Sequence, residues 1–256
     1  MSRVFAIVNQ KGGVGKTTTA INLGASLAAC EKKTLVIDLD PQANATSGSG
    51  FEKRGIPSMY GVLVDGAGIR EVILEAGLRM FLLAPSSIDL VGADLELSDM
   101  DGREMRLRDA IEHIREEFDY ILIDCPPSLG LLTINALTAS DAVVVPIQCE
   151  YYALEGVSQL VETVERVRET LNPSLHIGGI VLTMYDDRMN LSRQVADEIR
   201  NFFGDSVYDT VIPRNVRLAE APSFGKPIIL YDVRSKGAET YLQLAQEMIK
   251  KEEVPA

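Results

Sequence analysis

Residues 4 to 29 read VFAIVNQKGGVGKTTTAINLGASLAA, a run of five apolar residues, a glycine-rich loop, and an apolar-periodic segment rich in alanine and leucine. That order fixes a strand, a phosphate-type loop and a helix in immediate succession, a unit that fits a parallel sheet with crossover helices and not a sandwich. The rest of the chain repeats the alternation. Candidate strands are Val4 to Val8, Thr34 to Leu39, Met80 to Ala84, Tyr120 to Ile123, Ala142 to Ile147, Ile177 to Leu182 and Val211-Ile212. Most are apolar without alternation, as strands covered on both faces are. Between them, Val157, Leu160, Val161, Val164, Val167 and Leu171 mark one helix face, and Ala238, Tyr241, Leu242, Ala245, Met248 and Ile249 another. The expected class is α/β: a mostly parallel, twisted sheet with helices on both faces and a phosphate-type loop after its first strand. The Gly- and Ser-rich piece Asn44 to Gly50, after a strand, is expected to be a mobile loop at the edge where open α/β sheets bind ligands.

With 256 residues and 46% hydrophobic content the chain can bury one large core, and one domain over 1–256 is expected. No stretch approaches the roughly 18 consecutive apolar residues of a membrane span, and no secretory leader precedes the first strand, so a cytoplasmic protein is expected. Cys30, Cys125 and Cys149 are widely spaced and form neither a disulfide framework nor a zinc pattern. The net charge of −12 excludes a surface that is basic all over.

In the glycine loop, the backbone N–H groups of Gly12, Gly13, Val14 and Gly15 can converge on phosphate oxygens at the positive end of the helix that follows. Lys16 supplies a mobile charge, the Thr17 hydroxyl can ligate Mg²⁺, and Thr18 continues the loop into the helix. The bland alternative is a glycine-rich turn with no ligand. A second lysine, Lys11, has no task in such a loop: it is either a solvated loop residue or has a different job. Two strands end in carboxylates. Asp124 follows Tyr120 to Ile123, where a Mg²⁺-organising aspartate belongs. Asp38 and Asp40 follow Thr34 to Ile37 and, if the strand continues, point the same way; either they serve the reaction or they cap a turn. Pro126-Pro127-Ser128 makes a stiff loop suited to a switch.

The string KGGVGKT resembles the deviant Walker A motif of the signature-lysine ATPases, with Gln10 in place of the first glycine of the usual form. Together with DLDPQANATSG (Asp38 to Gly48), DYILIDCPPSLG (Asp119 to Gly130), VLTMYDDRMNLSRQV (Val181 to Val195) and the stretch Val211 to Ala245, it resembles the ParA/Soj-type partition ATPases over nearly the whole chain. One departure is Ala43, where the family pattern has glycine.

The resemblance implies ATP and Mg²⁺ as ligands and an ATP-dependent sandwich homodimer. In that dimer Lys11 reaches the phosphates held by the other subunit while Lys16 serves its own. It implies Asp40 as the residue that positions the attacking water, with Lys11 and Lys16 completing the catalytic set, and Thr17, Asp38 and Asp124 as the Mg²⁺ shell. Pro213 and Asn215 match the adenine-side loop, though Asn215 is equally a turn residue.

Arg188 and Arg217 match positions that contact double-stranded DNA without sequence preference. From Asp186 to Lys236 the chain holds as many basic as acidic residues, so its negative charge resides elsewhere. Scattered arginines on helices are otherwise a solvated face.

A ParB-like centromere-binding partner that stimulates hydrolysis, and a nucleoid location, are implied in the same way. The larger relatives' extra N-terminal DNA-binding domain is expected to be missing. A MinD-like division-site ATPase would need a membrane-binding C-terminal helix, whereas the apolar face here ends at Ile249 before KKEEVPA. A nucleotide switch that does not hydrolyse is the alternative from another class.

Overall fold

A computed structural model describes residues 2–150 and 153–253. Strand β1 (Arg3–Ile7) is followed by α1 (Lys16–Ala29), β2 (Thr34–Asp38), α2 (Asn44–Gly48), β3 (Leu74–Glu75), β4 (Phe81–Ala84), α3 (Leu90–Ser98) and α4 (Arg106–Glu112). Then come β5 (Tyr120–Asp124), α5 (Leu131–Ala139), β6 (Ala142–Gln148), α6 (Ala153–Thr170) and β7 (His176–Thr183). The chain closes with α7 (Asn190–Phe203), α8 (Val216–Glu220), α9 (Ile228–Tyr231) and α10 (Lys236–Glu253). The strands form one sheet in the order β3-β4-β2-β5-β1-β6-β7, parallel except for β3, which runs antiparallel to β4.

The apolar strands behave as two-sided ones must. In β1, Val4 and Ala6 face a core shared with Leu90 of α3, Leu107 of α4, Leu132 of α5, Leu160 of α6 and Ile199 of α7. Phe5 and Ile7 face the opposite core, shared with Leu23 of α1, Leu218 of α8, Ile228 of α9 and Tyr241 and Leu244 of α10. Each successive residue therefore serves a different layer, which is why no polar alternation exists to be read. Helix α1 lies close against the sheet at Gly24, where a Cβ would come within 2.7 Å of a Val36 methyl. Helices α6 and α10 contain both apolar faces expected from periodicity; Leu244, fully buried in α10, joins the second.

Three expectations are corrected. Val211-Ile212 is not a strand. Ile212 donates to Leu182 O at 2.8 Å, and Tyr185 donates to Ile212 O and accepts from the Arg214 N–H, both at 3.1 Å, but the pairing stays an isolated bridge and no ladder develops. Asn44 to Gly50 is not an open loop: its first five residues are α2, with Ala45, Thr46 and Gly48 buried. Its entry residue Ala43 is fully buried in the left-handed region (φ 52°, ψ 41°), a conformation that costs alanine about 1–2 kcal/mol and glycine little. The glycine of the family pattern would be relaxed at that position. Finally, β2 ends at Asp38, so strand alternation does not carry on to Asp40.

Candidate nucleotide site

The order β2-β5-β1-β6 places β5 between β1 and β2, so the C-terminal ends of three neighbouring strands open on one crevice. Ile7 is in register with Asp124, and Asp124 with Asp38. The glycine loop leaves β1 over this crevice. Asn9, buried, donates from Nδ2 to Pro146 O at 2.8 Å and accepts from the Lys11 N–H at 2.9 Å. On the far side Thr183 of β7 donates its hydroxyl to Val14 O at 2.8 Å. The loop is thus pinned to β6 and β7 at both ends. Gly13 and Gly15 adopt φ of 76° and 93°, which glycine tolerates best, and Gly12 and Gly13 have open space where a side chain would stand.

The two lysines are separated by depth. Lys16 opens α1, is 6% exposed, and donates from Nζ to Lys11 O at 3.2 Å. Burial lowers its pKa, against the pull of the Asp124 and Asp40 charges. Lys11 lies on the rim with its side chain 39% exposed, and its Nζ meets Glu150 at 3.2 Å.

The carboxylates differ just as clearly. Asp38 is fully buried and committed. Its Oδ2 accepts from the Thr46 N–H at 2.8 Å and hydroxyl at 2.7 Å, and its Oδ1 from the Asp40 N–H at 3.1 Å. Burial nevertheless pushes its pKa up to about 7. Asp124 is fully buried, and neither oxygen accepts a hydrogen bond of ordinary geometry from the described residues. Burial, then the neighbouring Asp38 charge, raise its pKa well above the ordinary carboxylate range, and the Thr17 hydroxyl draws it partly back. Asp40, 7% exposed, accepts from the Gln42 N–H at 2.9 Å in a turn. Its charge acts on both Lys16 and Asp124.

Two buried carboxylates in register on adjacent strands, one with only the Thr17 hydroxyl acting on it among the described residues, fit a hydrated divalent cation, because a cation is what lets both stay ionised at low dielectric cost. The open glycine face and the buried ammonium fit phosphates. Beside the loop, a cavity of about 190 Å³ is lined by Thr18, Met184, Pro213, Asn215, Leu218 and Tyr241, a mostly apolar slot of the kind a flat base fills. Asn215 is also the N-cap of α8, its Oδ1 accepting from the Arg217 and Leu218 N–H groups at 2.8 and 3.3 Å. Pro213 and Asn215 therefore do share a pocket with Thr18, and Asn215 is a capping residue as well.

Arg188 and Arg217 lie on the surface far along the chain from the loop. Arg188 forms a bidentate pair with Asp186 at 2.9 and 2.7 Å. Arg217 pairs with Glu220 at 3.0 Å and Asp232 at 3.6 Å.

Site residues that sequence reasoning missed are Asn9, Thr46, Ser86, Glu150 and Thr183. Ser86 donates its hydroxyl to Asp40 O at 2.7 Å and its N–H to the Thr46 hydroxyl at 2.9 Å. Asn9, Thr46 and Thr183 stand inside the quoted stretches as ordinary polar residues, and Ser86 and Glu150 lie outside them. Cys125 and Cys149 are buried free thiols, and Cys30 is a partly exposed one.

Sheet, loop and carboxylates together define a P-loop nucleotide hydrolase of the deviant Walker A class. A family profile described as an AAA domain matches residues 2–177. The sporulation initiation inhibitor protein Soj of Bacillus subtilis is 57% identical over 97% of this chain and 98% of its own. The chromosome partitioning protein ParA of Myxococcus xanthus is 54% identical over 98% of this chain and 89% of its own. A crystal structure of cobyrinic acid a,c-diamide synthase from Mycobacterium smegmatis with bound ADP and magnesium superposes with a TM-score of 0.86. It is 36% identical and covers 98% of this chain and 95% of that one. The chain belongs to the ParA/Soj family of chromosome-partitioning ATPases.

Proposed function

We propose that this protein is a DNA-segregation ATPase in which ATP drives a sandwich dimer, the dimer holds DNA without sequence preference, and hydrolysis, accelerated by a ParB-like partner, releases it. The observation that carries the reading is the separation of the lysines. Lys16 is buried over the carboxylates, whereas Lys11 stands on the rim, its side chain 39% exposed and its ammonium paired with Glu150. A rim lysine released from Glu150 can reach a phosphate outside its own subunit and so make dimerisation depend on ATP.

In this reading the Gly12 to Gly15 N–H groups and Lys16 bind the phosphates, with Thr18, Pro213 and Asn215 beside the base. Thr17, Asp38 and Asp124 would hold Mg²⁺, which when bound offsets phosphate charge. Asp40 orients the attacking water and accepts its proton through the carboxylate that now serves the Gln42 turn. The ADP and magnesium of the Mycobacterium smegmatis structure support these ligands, and the names of the Bacillus and Myxococcus relatives support segregation as the purpose. No helix among the described residues is long and apolar enough to cross a membrane.

Asp40→Ala tests the reading. It removes the water-positioning group and leaves Lys11, Lys16, Thr17 and Asp124 in place, so the variant should form the ATP dimer, stay on DNA and release little phosphate. Near-parental phosphate release, or no ATP dimer by sedimentation, rejects the role given to Asp40.

A further inference from the structure

Beyond α2, an open groove of about 640 Å³ lies between the segment that leaves the helix and the turn before α9, with Ser47, Phe51, Lys53, Arg54 and Phe224 in its walls. Glu52 is the one carboxylate among the described residues that line it. Its two walls touch through backbone: a Cβ on Gly225 would come within 2.6 Å of the Gly50 Cα, and one on Gly50 within 2.9 Å of the Gly225 carbonyl oxygen. Both glycines hold a positive φ, so the close approach is built into the turns.

The cations of this groove differ in what occupies them. Arg54 is exposed and takes part in no ion pair among the described residues. Lys53 is half-buried and donates from Nζ to Gln42 O at 2.6 Å and to Asn44 Oδ1 at 3.1 Å. Gln42 is the residue whose N–H holds the Asp40 carboxylate at 2.9 Å. The ammonium thus fastens from outside the turn that occupies Asp40 from within.

On its other side the groove runs on to Arg217. Phe224 lies against Tyr231 with ring centroids 4.9 Å apart, the Tyr231 hydroxyl donates to Glu220 at 3.1 Å, and Glu220 pairs with Arg217 at 3.0 Å. A duplex resting on Arg217 carries phosphates in series, so cations beyond Phe224 can take the next ones.

We propose that this groove holds a backbone phosphate of the duplex bound at Arg217, and that the phosphate draws Lys53 off Gln42 and Asn44. An ammonium gains more from a charged phosphate oxygen than from two neutral ones, so the exchange runs toward DNA. The turn then loses its outer fastening, and Asp40 is free to leave the Gln42 N–H for water. This deepens the preceding reading and rests on it for the DNA and for the role of Asp40.

The test reads ATP-dependent retention of a fluorescent duplex and phosphate release on the same samples of the full chain. Arg54→Glu should weaken retention about tenfold or more and lower the log–log salt slope by about 0.9 for each phosphate no longer neutralised. Arg168→Glu makes the same change at an exposed position of α6, which packs on the opposite face of the sheet, and should leave retention within about twofold. Lys53→Met keeps the stem but cannot fasten the turn. Without DNA it should release phosphate about as fast as the parent does with DNA, and added duplex should hardly change its rate.

Equal weakening by Arg54→Glu and Arg168→Glu would mean that only overall charge matters and would overturn the proposal. So would a Lys53→Met chain whose release without DNA stays at or below the parent's. Orthophosphate at matched ionic strength that displaces the duplex from the parent, and not from Lys53→Met, would assign the groove to a small free anion instead. A parent never retained with ATP sinks the segregation reading, whereas a retained parent indifferent to Arg54→Glu sinks only the groove.

Discussion

At the scale of single residues, the site holds more buried negative charge than the folded chain can keep ionised by itself. Asp38, up at about 7, keeps its proton in the folded protein across a range where the unfolded chain has lost it. The folded state binds more protons there, so stability falls as pH rises from about 4 to about 7, and Asp124, raised well above the ordinary carboxylate range by burial and by Asp38, adds to the fall. Asp124→Asn removes one buried charge and lets an amide N–H face Asp38. Its melting temperature should exceed the parent's by more at about pH 8 than at about pH 5, while phosphate release is lost. A gap that stays constant with pH would show that the carboxylate pair carries no such penalty. The lysines give a second contrast. Lys16→Ala should abolish nucleotide binding, measured with a fluorescent ATP analogue. Lys11→Ala should keep that binding yet fail to dimerise with ATP in sedimentation; a normal ATP dimer would refute its role across the interface.

At the scale of elements, α2 is the piece whose order matters most, because it connects β2 to the segment that leaves β4 through one hydroxyl. Thr46 donates to Asp38 and accepts from Ser86, and it is fully buried. Thr46→Val keeps the shape and removes both bonds, leaving the Ser86 N–H without an acceptor, which costs about 1–3 kcal/mol. Urea denaturation should show that loss, and phosphate release should fall while nucleotide affinity holds, since the glycine loop is pinned separately by Asn9 and Thr183. A fall in nucleotide affinity as large as the fall in turnover would show that α2 supports the loop itself.

At the scale of the whole molecule, the arginines matched to DNA are already paired. Arg188 holds Asp186 down at about 2, and Arg217 is shared between Glu220 and Asp232. Binding a phosphate must therefore compete with a carboxylate. Arg188→Glu and Arg217→Glu should weaken DNA binding across unrelated sequences and reduce the log–log salt slope by about 0.9 for each DNA phosphate that is no longer neutralised. Asp186→Asn should act in the opposite sense, tightening binding at every salt concentration because it frees Arg188 without touching the dimer. Filter binding across a salt series reads both, and weaker binding by Asp186→Asn would place the DNA on another surface.

The sequence by itself determined the parts whose chemistry is local. Strand, glycine loop and helix are consecutive, so Gly12 to Thr18 was legible from spacing alone, and so were the carboxylates at the ends of Thr34 to Asp38 and Tyr120 to Asp124. The parallel sheet was legible too, apart from the two-residue edge strand β3 and the non-strand at Val211-Ile212, where runs too short for a pattern depend on what lies beside them. Only the tertiary structure decided which groups meet. The strands are apolar on both faces and interchangeable by composition, so nothing in their residues says that β5 inserts between β1 and β2. Yet that insertion is what sets Asp38 beside Asp124 and raises both their pKa values. The partners of Lys11, Val14 and Asp40, namely Glu150, Thr183 and Ser86, are likewise brought in by strand order across long stretches of chain, through hydrogen bonds that carry no periodic signal.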